Sequence, residues 1–213
     1  MNSLEIESAQ NKTYPAFVQN DLVSAAQSDY IAMRSLYVLV GGGSLWKKIA
    51  HNGAECLEKV MKAFLVSKGL TTPKRSGHNL ELLRQDCEKK DTFFTDSELI
   101  KFCTNYSAGK GNEVLRYGFQ QNTGAYGANL EKIIELVDKF FLGSLVRIDP
   151  SGFVASNTDI AALLCKTMFT DSVSNVHSPT QIQNLQIVLK HNNQFLDDFI
   201  KHVNEFVKKL HKN

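Results

Sequence analysis

Lys59 and Lys62 stand nearly one turn apart in a stretch with helical periodicity, so their ammonium groups face a similar way. With Arg116 they make a set that can cradle a phosphate, each supplying positive charge and hydrogen-bond donors. The same residues equally fit a solvated helix face on which Glu55 and Glu58 pair with the lysines. His78 opens a helix, where it can act as a general base or as a cap and loop-packing residue. His51 lies near the apolar edge of the second helix, a place for an interface or partly buried imidazole. The six histidines never fall in a zinc spacing such as His-x3-His with a nearby carboxylate, so no metal site is expected, and no cofactor. The Gly109-Lys110-Gly111 stretch lacks the Gly-x4-Gly-Lys-Ser/Thr spacing of a phosphate loop and follows no strand.

The elements that must position these residues are read from apolar periodicity. The four prolines, Pro15, Pro73, Pro150 and Pro179, all stand between periodic segments. A proline costs about 3 kcal/mol inside a helix, so long uninterrupted helices are expected. The first runs from about Asp21 to Val40 on Leu22, Ala25, Ala26, Met33, Leu36 and Val40, with Asp29 as the polar member of that face. Gly41, Gly42 and Gly43 stop it, and Ser44 can cap the next. The second, about Leu45 to Lys68, carries one stripe from Trp46 to Leu65 and an opposite face of Lys47, Lys48, Glu55, Lys59 and Lys62. A third starts near His78, Asp96 begins a fourth, and a fifth covers about Ala128 to Leu145. The expected fold is all-α: an antiparallel up-and-down bundle over residues 20–148, with a C-terminal two-helix extension over 153–211.

The extension holds a helix over about Asp159 to Phe169 and a last helix over about Thr180 to Lys209. Ile182, Leu185, Leu189, Asn192, Leu196, Phe199, Val203, Phe206 and Leu210 alternate steps of three and four, which is a heptad seam with one polar member, Asn192. The seam packs either on the chain's own bundle or across a dimer with Asn192 setting register.

Bulk properties set the class. The chain has 213 residues, 43% of them hydrophobic, which suits a globular protein with a real core. Its 24 basic and 22 acidic residues leave a net charge of +2, too balanced to imply strong general attraction to nucleic acid or anionic lipid. No apolar run reaches the roughly 18 to 20 residues of a membrane span, and the first residues do not form a signal peptide, so a cytoplasmic place is expected. Cys56, Cys87, Cys103 and Cys165 show no Cys-x-x-Cys spacing and read as reduced thiols in or near the core.

Three segments in order resemble the HEPN family (higher eukaryote and prokaryote nucleotide-binding domains). SDYIAMRSLYVL, Ser28 to Leu39, looks like the family's opening helix with its aromatic residue and arginine. AHNGAECLEKVMKAFLVSKG, Ala50 to Gly69, is similar to the stretch leading to Glu-Lys-x-x-Lys-Ala, here Glu58, Lys59, Lys62 and Ala63. GHNLELL, Gly77 to Leu83, is similar to the family's His-x-Leu-x-x-Leu helix start, and Arg116-Tyr117 falls where many members carry Arg-Tyr. The resemblance implies a bundle of four to five helices that pairs as a homodimer. It implies either a ribonuclease, often a toxin beside a nucleotidyltransferase partner, or a module that has lost catalysis and serves in nucleotide binding or assembly.

The ribonuclease members carry arginine, four to six residues, then histidine, supplying a cation for the phosphate and a base for the 2′-hydroxyl. Arg34, Arg84 and Arg147 have no histidine at that distance, and Arg75 reaches His78 too soon. Five residues after Arg116 stands Gln121, which hydrogen-bonds but accepts no proton near neutral pH. The expectation is therefore a non-catalytic module binding a nucleotide or RNA phosphate at Lys59, Lys62, Arg116, Tyr117 and Gln121. The rivals are a ribonuclease using Arg116 with His78, and a pure assembly scaffold.

Overall fold

A computed structural model describes residues 16–40, 45–70, 78–107, 130–148 and 187–199, together with Lys201 and Glu205. Every regular element among them is helical, and no strand occurs. α1 spans Ala16–Val40, α2 Trp46–Ser67, α3 Leu80–Glu88, α4 Ser97–Ser107 and α5 Leu130–Ile148, with a 3-10 turn at Thr92–Thr95 between α3 and α4. Shorter helical pieces cover 187–190 and 194–199. No described helix is long and apolar enough to cross a membrane.

α1 and α2 pack antiparallel: Asp29 meets Lys59, and Met33 meets Gly53. α5 runs antiparallel to α1, with Tyr30 stacked on Phe141 at 4.3 Å and Arg34 against Asp138. The three helices crowd together at Gly53, where a Cβ would lie 3.0 Å from Val137 Cγ2 and 3.1 Å from Met33 Sδ. α3 packs on another side of α2, and α4 packs on α3. The 3-10 turn joins this layer to the core, with Phe94 against Phe64 of α2 and Phe93 against Phe140 of α5. As a result, fourteen of the 22 residues of α2 are buried, so it is a central helix. The solvated face expected opposite its stripe is correspondingly narrow, and Asn52 and Glu58 are inside.

Local chemistry sets the boundaries. α1 starts at Ala16 rather than Asp21 because residues 16–20 hold no helix breaker and an existing helix extends cheaply. Leu45 stands at the N-cap of α2 and makes no side-chain cap bond, while Ser44, the expected cap, lies outside the described residues. α3 starts at Leu80, with Asn79 as its cap: Asn79 Oδ1 accepts from Leu82 N–H at 3.0 Å. Asp96 caps α4, accepting from Glu98 and Leu99 N–H at 2.9 and 3.1 Å. α5 runs three residues past Leu145, and its last turn carries Arg147, a charge suited to a helix C-terminus.

The last helix is not continuous through the described residues. It breaks at 191–193, where Asn192 takes the left-handed conformation at φ 48°. The break turns Asn192 out to solvent and carries Asn193 into the interior. Asn192 is therefore no member of a seam. Leu189, Leu196 and Phe199 still face inward, into the core made with α1, α2 and α5 of the same chain. Ile182, Leu185, Val203, Phe206, Leu210 and the helix expected over 159–169 lie outside the described residues.

Candidate functional site

The motif residues of α2 and α3 converge on one carboxylate. Glu58 is only 5% exposed, yet it accepts from Lys62 Nζ at 2.5 Å and lies 3.0 and 3.1 Å from His78 Nδ1. Helical spacing puts Lys62 one turn beyond Glu58, while the Asn79 cap places His78 just ahead of α3 and beside α2. His78 is 62% exposed. With Nδ1 held by Glu58, Nε2 is the ring nitrogen left for a proton.

Lys59 faces another way, toward α1. It bonds the Asp29 carboxylate and lies 3.5 Å from Glu55. Burial by itself lowers the Lys59 pKa, but the Asp29 bond and the charges of Asp29 and Glu55 more than offset this and hold it above the ordinary value. Lys59 and Lys62 therefore have separate carboxylate partners. Arg116, Tyr117 and Gln121 lie outside the described residues.

A second polar centre sits deeper, around Tyr30 and Arg34 of the opening-helix motif, joined by Asp138 and Asn193, which no motif announced. Arg34 is wholly buried. Its Nη1 bonds Asp138 Oδ2 at 2.9 Å, Nε donates to the Val188 carbonyl at 3.2 Å, and Nη2 donates to the Val188 and Leu189 carbonyls at 3.0 and 3.2 Å and to that of His191. The guanidinium thus closes the open carbonyl end of the 187–190 piece, whose last groups have no helical partner. Tyr30 Oη donates to Asp138 Oδ1 at 2.7 Å and accepts from Asn193 Nδ2 at 2.8 Å. Asn193 Nδ2 also donates to the Leu189 carbonyl at 3.0 Å. One buried chain of bonds therefore joins α1, α5 and the C-terminal segment.

Burial dominates the electrostatics there. It raises Asp138 to about 6, with Arg34 and the Tyr30 bond pulling the other way and Glu135 adding to the rise. Tyr30 is raised well above its ordinary value by burial, then by the Asp138 charge. The thiols of Cys56 and Cys87 are raised by the same desolvation, and Cys103 is pushed up to about 12. These three cysteines are free and buried, while Cys165 lies outside the described residues. Among the described residues no group of histidine, cysteine, aspartate and glutamate has the makings of a metal site.

A 560 Å3 cavity opens beside this centre, walled by Tyr37, Ile134, Glu135, Lys190, Asn193 and Asp197 among others. Comparison with models of known families, with curated proteins and with solved structures returns no match for this chain.

Proposed function

We propose that this chain is a HEPN-like helical module that works by binding and assembly rather than by catalysis. The observation that carries this reading is the double use of Glu58, which engages both Lys62 and His78. Glu58, Lys62 and His78, the motif residues best suited to acid–base or phosphate chemistry, tie α3 to α2. Lys59 ties α2 to α1 through Asp29. A lysine already paired with a carboxylate must give up that partner to hold a phosphate, which weakens its grip. Phosphate of a nucleotide or RNA is then a task for Arg116, Tyr117 and Gln121, and the working unit is a homodimer.

The ribonuclease alternative, with its nucleotidyltransferase-type partner, is favoured by one observation: Glu58 orients His78 as a carboxylate orients a catalytic imidazole. One set of samples separates the two. Purified protein, Arg116→Ala, His78→Ala and Lys59→Ala/Lys62→Ala are compared for cleavage of labelled RNA, binding of labelled ATP and RNA, and mass in solution. A dimer that binds without cleaving, and loses binding in Arg116→Ala, is the expected result. Cleavage abolished by His78→Ala would replace this reading with the ribonuclease, and a dimer with neither binding nor cleavage would reduce it to an assembly scaffold.

A further inference from the structure

The chain Arg34–Asp138–Tyr30–Asn193 leaves one acceptor unused: Asn193 Oδ1 is buried without a hydrogen-bond partner, although the residue is only 6% exposed. A buried, unsatisfied amide oxygen is costly, so its presence calls for a cause. The bond directions supply one. Asp138 Oδ1 accepts from the Tyr30 hydroxyl, so the Tyr30 proton points at Asp138 and its oxygen is free to accept from Asn193 Nδ2. That order holds only while Asp138 is a carboxylate.

Adding a proton to Asp138 reverses it. Oδ2 faces the Arg34 donor, so the proton belongs on Oδ1. Protonated Oδ1 donates to Tyr30 Oη, and the Tyr30 proton must swing away from Asp138. It then meets Asn193 Nδ2, donor against donor. A turn of the Asn193 side chain that presents Oδ1 to the Tyr30 hydroxyl resolves the clash; the Nδ2 bond to the Leu189 carbonyl is lost, and the amide must also swing off that carbonyl, which would otherwise face Oδ1 acceptor to acceptor. We propose that Asp138, Tyr30 and Asn193 form a two-state proton relay through which the charge of a buried carboxyl is read at the 191–193 turn. The unused Oδ1 is the acceptor of the second state.

The groups around Asp138 place the transition in an accessible range. α1 contributes Arg34 and Tyr30, α5 contributes Glu135, α2 brings the Cys56 thiol with Lys59 behind it, and the C-terminal segment brings Asn193. Burial outweighs the Arg34 charge, and Asp138 titrates near pH 6. Asn193 also walls the 560 Å3 cavity, so the relay ends at a surface that a ligand can reach.

The test follows the Asp138 carboxyl carbon and the Asn193 side-chain amide by NMR from pH 7.5 to 5. All samples carry His191→Gln, which removes the imidazole two residues from Asn193. The expected result is one shared midpoint for the two signals. In Asp138→Asn, whose amide donates to Tyr30 as the acid would, the Asn193 signal stays at its low-pH position at every pH. In Tyr30→Phe, Asp138 still titrates but Asn193 no longer follows. An Asn193 signal that ignores the Asp138 titration, or follows it equally well in Tyr30→Phe, overturns the relay.

Discussion

Arg34 of α1 and Asp138 of α5, 104 residues apart in sequence, meet at 2.9 Å with side chains 0% and 1% exposed. Each is the charge that makes the other tolerable in the interior. Removing one partner alone leaves an uncompensated buried charge, at a cost of about 3–5 kcal/mol. Asp138→Ala is therefore expected to lower unfolding stability by that amount in urea. The double variant Arg34→Met/Asp138→Leu is expected to cost less than the two singles together by about 0.5–3 kcal/mol. Strict additivity would show that the pair does not act as a unit.

Stability carries the mark of Asp138 in its pH dependence. Its folded-state pKa, about 6, stands above the ordinary carboxylate value of 3.8, so the folded chain holds an extra proton between those pH values. The contribution of this group is fully present below about pH 4 and is lost as pH rises through about 6, a swing on the order of 2–3 kcal/mol. Glu81 and Asp96 oppose it. The Arg84 bond lowers Glu81, while Lys139 and two backbone N–H groups lower Asp96 against the effect of burial, so both lose stability in acid. The clean measurement is the stability difference between wild type and Asp138→Asn. It should move in favour of wild type as pH falls from 7 to 4, and a flat difference would contradict the raised pKa.

Asn192 distinguishes a broken helix from a continuous one. In an unbroken heptad seam, Asn192→Leu would add an apolar contact and stabilise. At φ 48°, a leucine instead adopts a conformation that costs roughly 1–2 kcal/mol, whereas Asn192→Gly stays within about 0.5 kcal/mol. Urea midpoints of the two variants decide between these geometries.

Gly143 in α5 is covered by the Phe93 ring, which a Cβ would strike. Glycine to alanine normally helps a helix interior by up to about 1 kcal/mol. Here the overlap should reverse the sign, with Gly143→Ala costing about 1–3 kcal/mol. In a Phe93→Ala background the obstacle is gone, and the same change should become neutral or stabilising. Thermal melts of wild type and the three variants test this, and equal effects in both backgrounds would rule out the ring as the cause.

The stripe from Trp46 to Leu65 was legible in the sequence, because burial of one helix face imposes a period of 3.6 whatever the partner. The all-helical class and the reduced, buried state of Cys56, Cys87 and Cys103 follow from the same local patterns. Periodicity reports that a face is covered, but not by what. Hence Asp138 passed unnoticed among the apolar residues of α5, Arg34 read only as part of a motif, and Asn193 stood one place away from the asparagine that the heptad count selected. Their meeting depends on antiparallel packing of α1 against α5 and on a single left-handed residue that rotates one helical piece against the next. Those are long-range matters of packing. Glu58 shows the same division: its spacing to Lys62 is written in one helix turn, but its contact with His78 exists only because α3 packs against α2.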